Sequence, residues 1–331
     1  MQRIKTASAR WGIDGFVLAI IAMVIAAYYI PGPGIAEQPV SLEELAGYGV
    51  SLIFFFYGLK LDFTALKAGL RNYRLHLVVQ IATFILFPLI AVGIRPLFHG
   101  ADLLVIWSGI CYLCALPSTV SSSVVMVSIA RGNMPAAIFN ASISSFIGLL
   151  ATPLWVRMLM SGNDAVFDTW GIAYKLILQV LLPVALGIAC NKKLGWYAVK
   201  HKSRLRLFDQ SIILVIIYTS FSKSFSQGIF GNVSVTMLTI LGVGMLALFA
   251  LVMFFIKQCC RWLGFNHADT ITAMFCGSKK SLVHGTVMSR ILFGSTAAMG
   301  ILLLPLMLYH ALQIIAASIL AQRYGQRDTA D

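Results

Sequence analysis

Acidic residues are scarce in this chain. Asp and Glu together number 12 in 331 positions, and charged residues of both signs make up only 11%. A soluble domain carries about 25% charged residues, so less than half of the usual surface charge is present. Disorder is excluded too, because it requires low hydrophobicity with high charge, whereas 59% of this chain is hydrophobic. The six cysteines form no scaffold. Cys111 and Cys114 have the spacing of a redox pair, but they sit inside an apolar run with no βαβ pattern beside it. Ordinary buried thiols are expected there.

What the chain has instead is long apolar runs. Breaks at proline, glycine and charge clusters divide it into ten, near 14–30, 42–59, 75–97, 103–130, 135–158, 169–190, 209–223, 235–258, 269–291 and 296–321. A span needs about 20 residues, so the expected fold class is an all-α polytopic membrane protein with ten transmembrane helices. The basic stretch Met1–Arg10 precedes the first run, and no small-residue cleavage site follows. That pattern predicts a retained first span.

Basic residues number 25, for a net charge of +13. With the N-terminus cytoplasmic, most of them gather in inner loops, around Lys67, Arg71, Arg74, Lys192–Arg206, Lys257 and Arg261, while Arg95, Arg157, Lys223 and Arg290 fall outside. That bias predicts both termini in the cytoplasm. The run from Lys192 to Arg206, interleaved with Trp196, Tyr197, Leu205 and Leu207, reads as a helix lying on the anionic inner leaflet. Lipid, and not nucleic acid, is its expected partner. The run also marks the midpoint between two sets of five spans. An odd-numbered repeat inserts upside down, which predicts two inverted five-helix repeats. The expected division is residues 1–160 for the first repeat, 161–208 for the sixth span with the basic linker, and 209–331 for the remainder.

All twelve acidic residues fall at span ends or in loops, which argues against a carboxylate proton relay in mid-membrane. Polarity inside the spans concentrates in two places instead. The fourth span carries Leu116-Pro117-Ser118-Thr119-Val120-Ser121-Ser122-Ser123. Proline removes a backbone donor and disfavours helix at the residue before it. The stretch is either a broken helix lining a cavity or a kinked helix using small residues for packing. The ninth span carries Cys276-Gly277-Ser278-Lys279-Lys280-Ser281-Leu282-Val283-His284-Gly285. Each lysine would cost about 2.5–3.5 kcal/mol at a helix centre, so a break at membrane depth flanked by half-helices is expected. Broken helices at the fourth place of each half are what an inverted-repeat transporter would show.

At these two breaks, and at Ala130-Arg131-Gly132-Asn133, the chain resembles the bile acid:sodium symporter superfamily, most closely its bacterial symporter-like branch. The resemblance runs through about residues 10–322. It implies ten helices in two inverted repeats, with a panel domain of spans 1, 2, 6 and 7 against a core domain of spans 3, 4, 5, 8, 9 and 10. Broken spans 4 and 9 would cross in the core. It also implies the inner (plasma) membrane of a bacterium. Carried over residue by residue, the family's sodium ligands fall on Phe275, Lys279 and Lys280 in the ninth span and on Ser123 and Val124 in the fourth. In the fifth they fall on Ala137 and Ala141, beside Asn140 and Ser142, and in the third on Gln80. The cation cage is mostly gone; what is left of a Na⁺ site would lie near Ser123 and Asn140.

Losing cation ligands while gaining ammonium groups keeps positive charge without a bound ion. Lys279 or Lys280 is therefore expected where relatives hold Na⁺, joining the breaks through Ser121, Ser122, Ser123 and Asn140. Ser118, Thr119, Ser278, Ser281 and His284 complete the candidate substrate and ion site. Two cations about 6 Å apart repel by roughly 3 kcal/mol at an effective dielectric of 20. Lys280 and His284, at i and i+4, are expected to share a helix face, making His284 either a proton-coupling group or a core histidine. The expected function is an alternating-access carrier for a small or amphipathic organic anion, with no cofactor and no obligate protein partner. Coupling is to H⁺, to Na⁺ through a remodelled site, or to neither. A channel or an intramembrane enzyme are the readings from other classes. The first would need a continuous polar stripe, the second one defined nucleophile in place of repeated serines.

Overall fold

Helix starts are marked by side chains that accept otherwise orphaned amide hydrogens. Ser41 accepts from Glu44 N at 3.3 Å, Asn72 from Leu75 N at 3.4 Å, and Ser234 from Met237 N at 3.1 Å. Asn266 accepts from Asp269 N at 2.8 Å, and Ser281 from His284 N at 3.3 Å. The computed structural model describes residues 15–36, 41–60, 72–119, 121–160, 174, 177–228, 234–294, 296 and 298–327, and no strand is present among them.

Twelve principal helices follow: α1 Gly15–Tyr29, α2 Leu42–Leu59, α3 Tyr73–Leu97, α4 Ala101–Ala115, α5 Ser121–Ile129 and α6 Met134–Met160. Then come α7 Ile177–Lys200, α8 Lys202–Ser226, α9 Val235–Trp262, α10 His267–Gly277, α11 Leu282–Phe293 and α12 Met299–Arg327. Seven of them, α2, α3, α6, α7, α8, α9 and α12, are long and apolar enough to cross a membrane. Their outer faces are greasy at helical spacing. Leu77, Ile81, Ile85 and Leu89 form an exposed stripe along α3, which only lipid tails would tolerate.

The fourth and ninth apolar runs are each interrupted, as α4–α5 and α10–α11. Helix α12 packs on α4 and α9, α6 packs on α4 and α5, and α10 packs on α3, α6 and α9. Separately, α2 packs on α7, and α8 on α1 and α2, with α8 also touching α11 and α12. The α2–α7 contact is backbone to backbone, since a Cβ at Gly187 would collide with the Phe55 carbonyl and one at Gly58 with the Val184 carbonyl. Small residues permit such an approach.

The basic run 192–206 differs from its sequence reading. Helix α7 continues to Lys200 and α8 begins at Lys202, with His201 as the single connecting residue. The charges are thus the adjoining ends of two long apolar helices, and no separate interfacial helix lies between them. Helix α8 also starts seven residues before the expected 209, so Asp209 lies inside it, paired with Lys60 at 3.1 Å. The start of the sixth run, up to residue 173, lies outside the described residues.

At the opposite end of the fourth run, Arg131 adopts a left-handed φ of 58°, turning the chain from α5 into α6. Asn133 in that turn and Asn72 each donate to the Asp269 carboxylate at 2.8 Å. This ties the ends of α3, α6 and α10 and holds the two breaks at a fixed register.

Candidate functional site

The two breaks meet. Ser281 N donates to the Pro117 carbonyl at 2.9 Å, and Ser118 Oγ donates to the Cys276 carbonyl at 2.5 Å. Unwinding strips carbonyls of their helical donors, and in an apolar interior each must find another. Several of these donors are side chains. Thr152 Oγ1 serves the Ala115 carbonyl at 2.8 Å, Tyr309 OH serves Ser278 at 2.6 Å, and Gln313 Nε2 serves Lys280 at 2.8 Å. Gln313 also accepts from Lys280 N at 2.9 Å through Oε1, so one amide grips both sides of the link.

Lys280 supplies three more donors. Its Nζ lies 2.7 Å from the Cys114 carbonyl, 2.8 Å from that of Leu116 and 2.8 Å from that of Thr83. The first two lie where α4 ends, and the amide that would serve Cys114 in a continuing helix, that of Ser118, is turned to Ser144 Oγ at 3.0 Å. The third is orphaned inside α3. Residues Ala82–Leu86 form a wide π turn in which Phe87 N bonds the Ala82 carbonyl. The matching donor for Thr83 would be residue 88, a proline. An ammonium has three donors, and here all three are used. The same Nζ sits 4.1 Å from the Phe87 ring centroid, a cation–π contact.

Lys279 is also fully buried, but its Nζ makes one hydrogen bond among the described residues, to the Ser122 carbonyl at 3.0 Å. The adjacent lysines therefore differ sharply in how well they are satisfied.

Of the other predicted residues, Thr119 Oγ1 lies 2.8 Å from both the Ser122 and the Ser123 hydroxyls. Ser278 Oγ bonds back to the Met274 carbonyl at 2.7 Å. Gln80 Nε2 donates to Asn140 Oδ1 at 3.2 Å, and the buried Gln80 Oε1 has no partner among the described residues. Ser142 is only half-buried; its carbonyl accepts from Tyr57 OH at 3.0 Å. Ser121 opens α5, with its side chain outside the described ones. Lys280 does not share a helical face with His284, because helix resumes only at Leu282. His284 Nδ1 instead faces Ser281 Oγ at 3.0 Å, and its ring meets Tyr57 edge-on at 5.7 Å.

The sequence reading did not single out Thr83, Tyr309 or Gln313. Pro88, five residues after Thr83, is the available signal for the first. For the other two it is the rarity of polar groups in α12. The positions where the resemblance places sodium ligands differ in chemistry from a cation cage. Phe275, Val124, Ala137 and Ala141 offer no side-chain oxygen, and Lys280 already occupies the carbonyl cluster.

Residues 14–326 match the model of the SBF-like CPA transporter family. The chain is 39% identical over 314 residues to an uncharacterized protein of Pseudomonas aeruginosa, covering 95% of this chain and 93% of that one. It is 37% identical over 323 residues to the Escherichia coli protein named "Putative symporter YfeH", covering 95% and 94%. It is 30% identical over 321 residues to the protein of Danio rerio named sodium/bile acid cotransporter 7, covering 94% of each.

Proposed function

Because the chain belongs to the SBF-like CPA transporter family, we propose that it is a secondary active carrier moving a small organic anion by alternating access. Membership makes it an integral membrane transporter for a small molecule, not an enzyme. The finer reading takes α4–α5 and α10–α11 as single broken spans, giving ten spans in two inverted five-helix repeats. The pairwise packing supports a panel of α1, α2, α7 and α8 moving against a core built from the other helices. The membrane is the inner membrane of a bacterium, with both termini cytoplasmic.

One observation carries the mechanism: the Lys280 ammonium rests on three backbone carbonyls at 2.7–2.8 Å. Carbonyl oxygens converging on one positive centre are how a protein replaces the water around a monovalent cation. Here the cation is covalently tethered, so the crossing stays assembled without bound sodium. Lys279 then provides the positive charge for the cargo. Its unused donors take the carboxylate or sulfonate, helped by the hydroxyls of Thr119 and Ser122 and by the positive N-terminal end of α5.

Counterflow of labelled cholate in proteoliposomes tests this, because one relative is named for bile acids. Uptake should be lost in Lys279→Ala and should be indifferent to Na⁺ in the parent. Unchanged uptake in both Lys279→Ala and Lys280→Ala would overturn the site. Strict Na⁺ dependence would favour a remodelled sodium site near Ser123 and Asn140.

A further inference from the structure

Away from the crossing, the start of α2 and the ends of α8 and α11 meet around a shallow cleft. Glu43, Thr219, Ser220, Lys223, Arg290 and Thr296 line it. Helix α12 begins at its edge with Met299, and the first amides of a helix carry partial positive charge.

Arg290 is well shielded, its side chain 17% exposed. One guanidinium nitrogen donates to the backbone carbonyl of Glu43. The Glu43 carboxylate stands 3.7 Å away, within range of an ion pair but beyond hydrogen-bond reach. A guanidinium carries five donors in a planar fork that fits a carboxylate in two places at once. Among the described residues Arg290 uses one of them. Across the cleft, the Lys223 ammonium has no hydrogen bond or ion pair among the described residues. Two cations thus face a single, loosely seated carboxylate, while the first amides of α12 are already taken by the Thr296 carbonyl and Ser224 Oγ.

We propose that this cleft is a second anion site, a receiving station for the carboxylate of the cargo. The incoming carboxylate takes the two-point seat on the Arg290 fork that Glu43 leaves open, with Lys223 as the second positive charge and Thr296 as a hydroxyl donor. Glu43 acts as the internal competitor that the cargo displaces. Because Glu43 belongs to α2 and Arg290 to α11, displacement releases the carboxylate contact between these two helices and leaves the hydrogen bond from Arg290 to the Glu43 carbonyl to join them. The proposal rests on the reading of the cargo as an organic anion.

The test titrates purified full-length protein in nanodiscs with benzoate against chloride at matched ionic strength, following tryptophan fluorescence and thermal unfolding. Glu43→Gln should bind benzoate at least five-fold more tightly, Arg290→Gln at least ten-fold more weakly, and Lys223→Gln about three-fold more weakly. Arg290→Lys keeps charge but not the fork and should fall between Arg290→Gln and the parent. The series is repeated on a Lys279→Met background, which removes the proposed central site. Persistence of the four effects there supports the cleft whatever becomes of the central reading. Loss of all benzoate binding on that background overturns the cleft and leaves the central site standing. Weaker or unchanged binding in Glu43→Gln, which keeps both cations and serves if Arg290→Gln fails to fold, also overturns it, making the pair a clamp only.

Discussion

The Nζ of Lys280 and the carbonyl oxygen of Thr83 lie 2.8 Å apart, although 197 positions separate them in the chain. Each answers a deficit in the other. Thr83 has no helical donor because Pro88 stands at its π-type partner position, and Lys280 has three donors to place in a region without a carboxylate. A charge that would be costly alone becomes the cap of three carbonyls that would otherwise be orphaned.

Removing that cap should cost far more than removing its neighbour. Lys280→Met leaves three buried carbonyls without a donor, at about 1–3 kcal/mol each. The expected outcome is poor recovery of folded protein, or an unfolding temperature lower by roughly 5–15 °C. Lys279→Met frees a single carbonyl, that of Ser122 in the first turn of α5, and should shift stability by only about 1 kcal/mol while abolishing uptake. Thermal unfolding in detergent, read beside counterflow, checks both. Equal destabilisation by the two substitutions would refute the division of labour.

Much of this was legible before any coordinates, and the limits have physical causes. Pro117 with its hydroxyl run, and two lysines inside an apolar stretch, break local rules so plainly that both interruptions could be located to within a few residues. The partners of Lys280 were not legible. The sequence reading looked to Ser121, Ser122, Ser123 and Asn140 for the contacts of Lys279 or Lys280; Lys279 does reach Ser122, through its carbonyl, whereas Lys280 bonds the carbonyls of Thr83, Cys114 and Leu116, which leave no trace in residue type. The basic run at 192–206 misled because a one-residue turn at His201 joins two helices whose charged ends, read in line, look like one amphipathic helix. Gln313 went unnoticed because one amide inside the apolar stretch of α12 disturbs no period.

Pro88 offers a test of the carbonyl argument that leaves both lysines in place. Pro88→Ala restores an amide hydrogen that can bond the Thr83 carbonyl within α3. Lys280 would then share or lose one of its three acceptors. Stability should hold or rise slightly, since a helical hydrogen bond is gained, while transport should fall several-fold as the crossing loosens. A variant that lost stability and kept full transport would contradict the role given to the π turn.

The break in the fourth run is also held from the side by α6. A Cβ at Gly148 would lie 2.7 Å from the Cβ and Cγ of Pro117, and a proline ring cannot swing aside. Gly148→Ala should therefore cost about 1–3 kcal/mol by overpacking and reduce uptake by displacing Leu116 and Ser118. Gly93→Ala is the matched control. It lies in α3 with nothing within 4 Å of the added Cβ, and it should leave both readings at the parent level.

Gln313 is the last element whose removal separates structure from charge. Its side chain accepts from Lys280 N and donates to Lys280 O, so it fixes the peptide on both sides of the lysine without touching the ammonium. Gln313→Leu is close in volume yet leaves a buried amide and a buried carbonyl unpaired, at about 1–3 kcal/mol each. Gln313→Glu keeps an acceptor for Lys280 N and loses the donor to Lys280 O, so it should recover part of the stability. The expected order of unfolding temperature is parent, then Gln313→Glu, then Gln313→Leu, with uptake falling in the same order. If Gln313→Leu unfolded at the parent temperature, the link would be held by the lysine alone, and the two-sided grip would have no energetic weight.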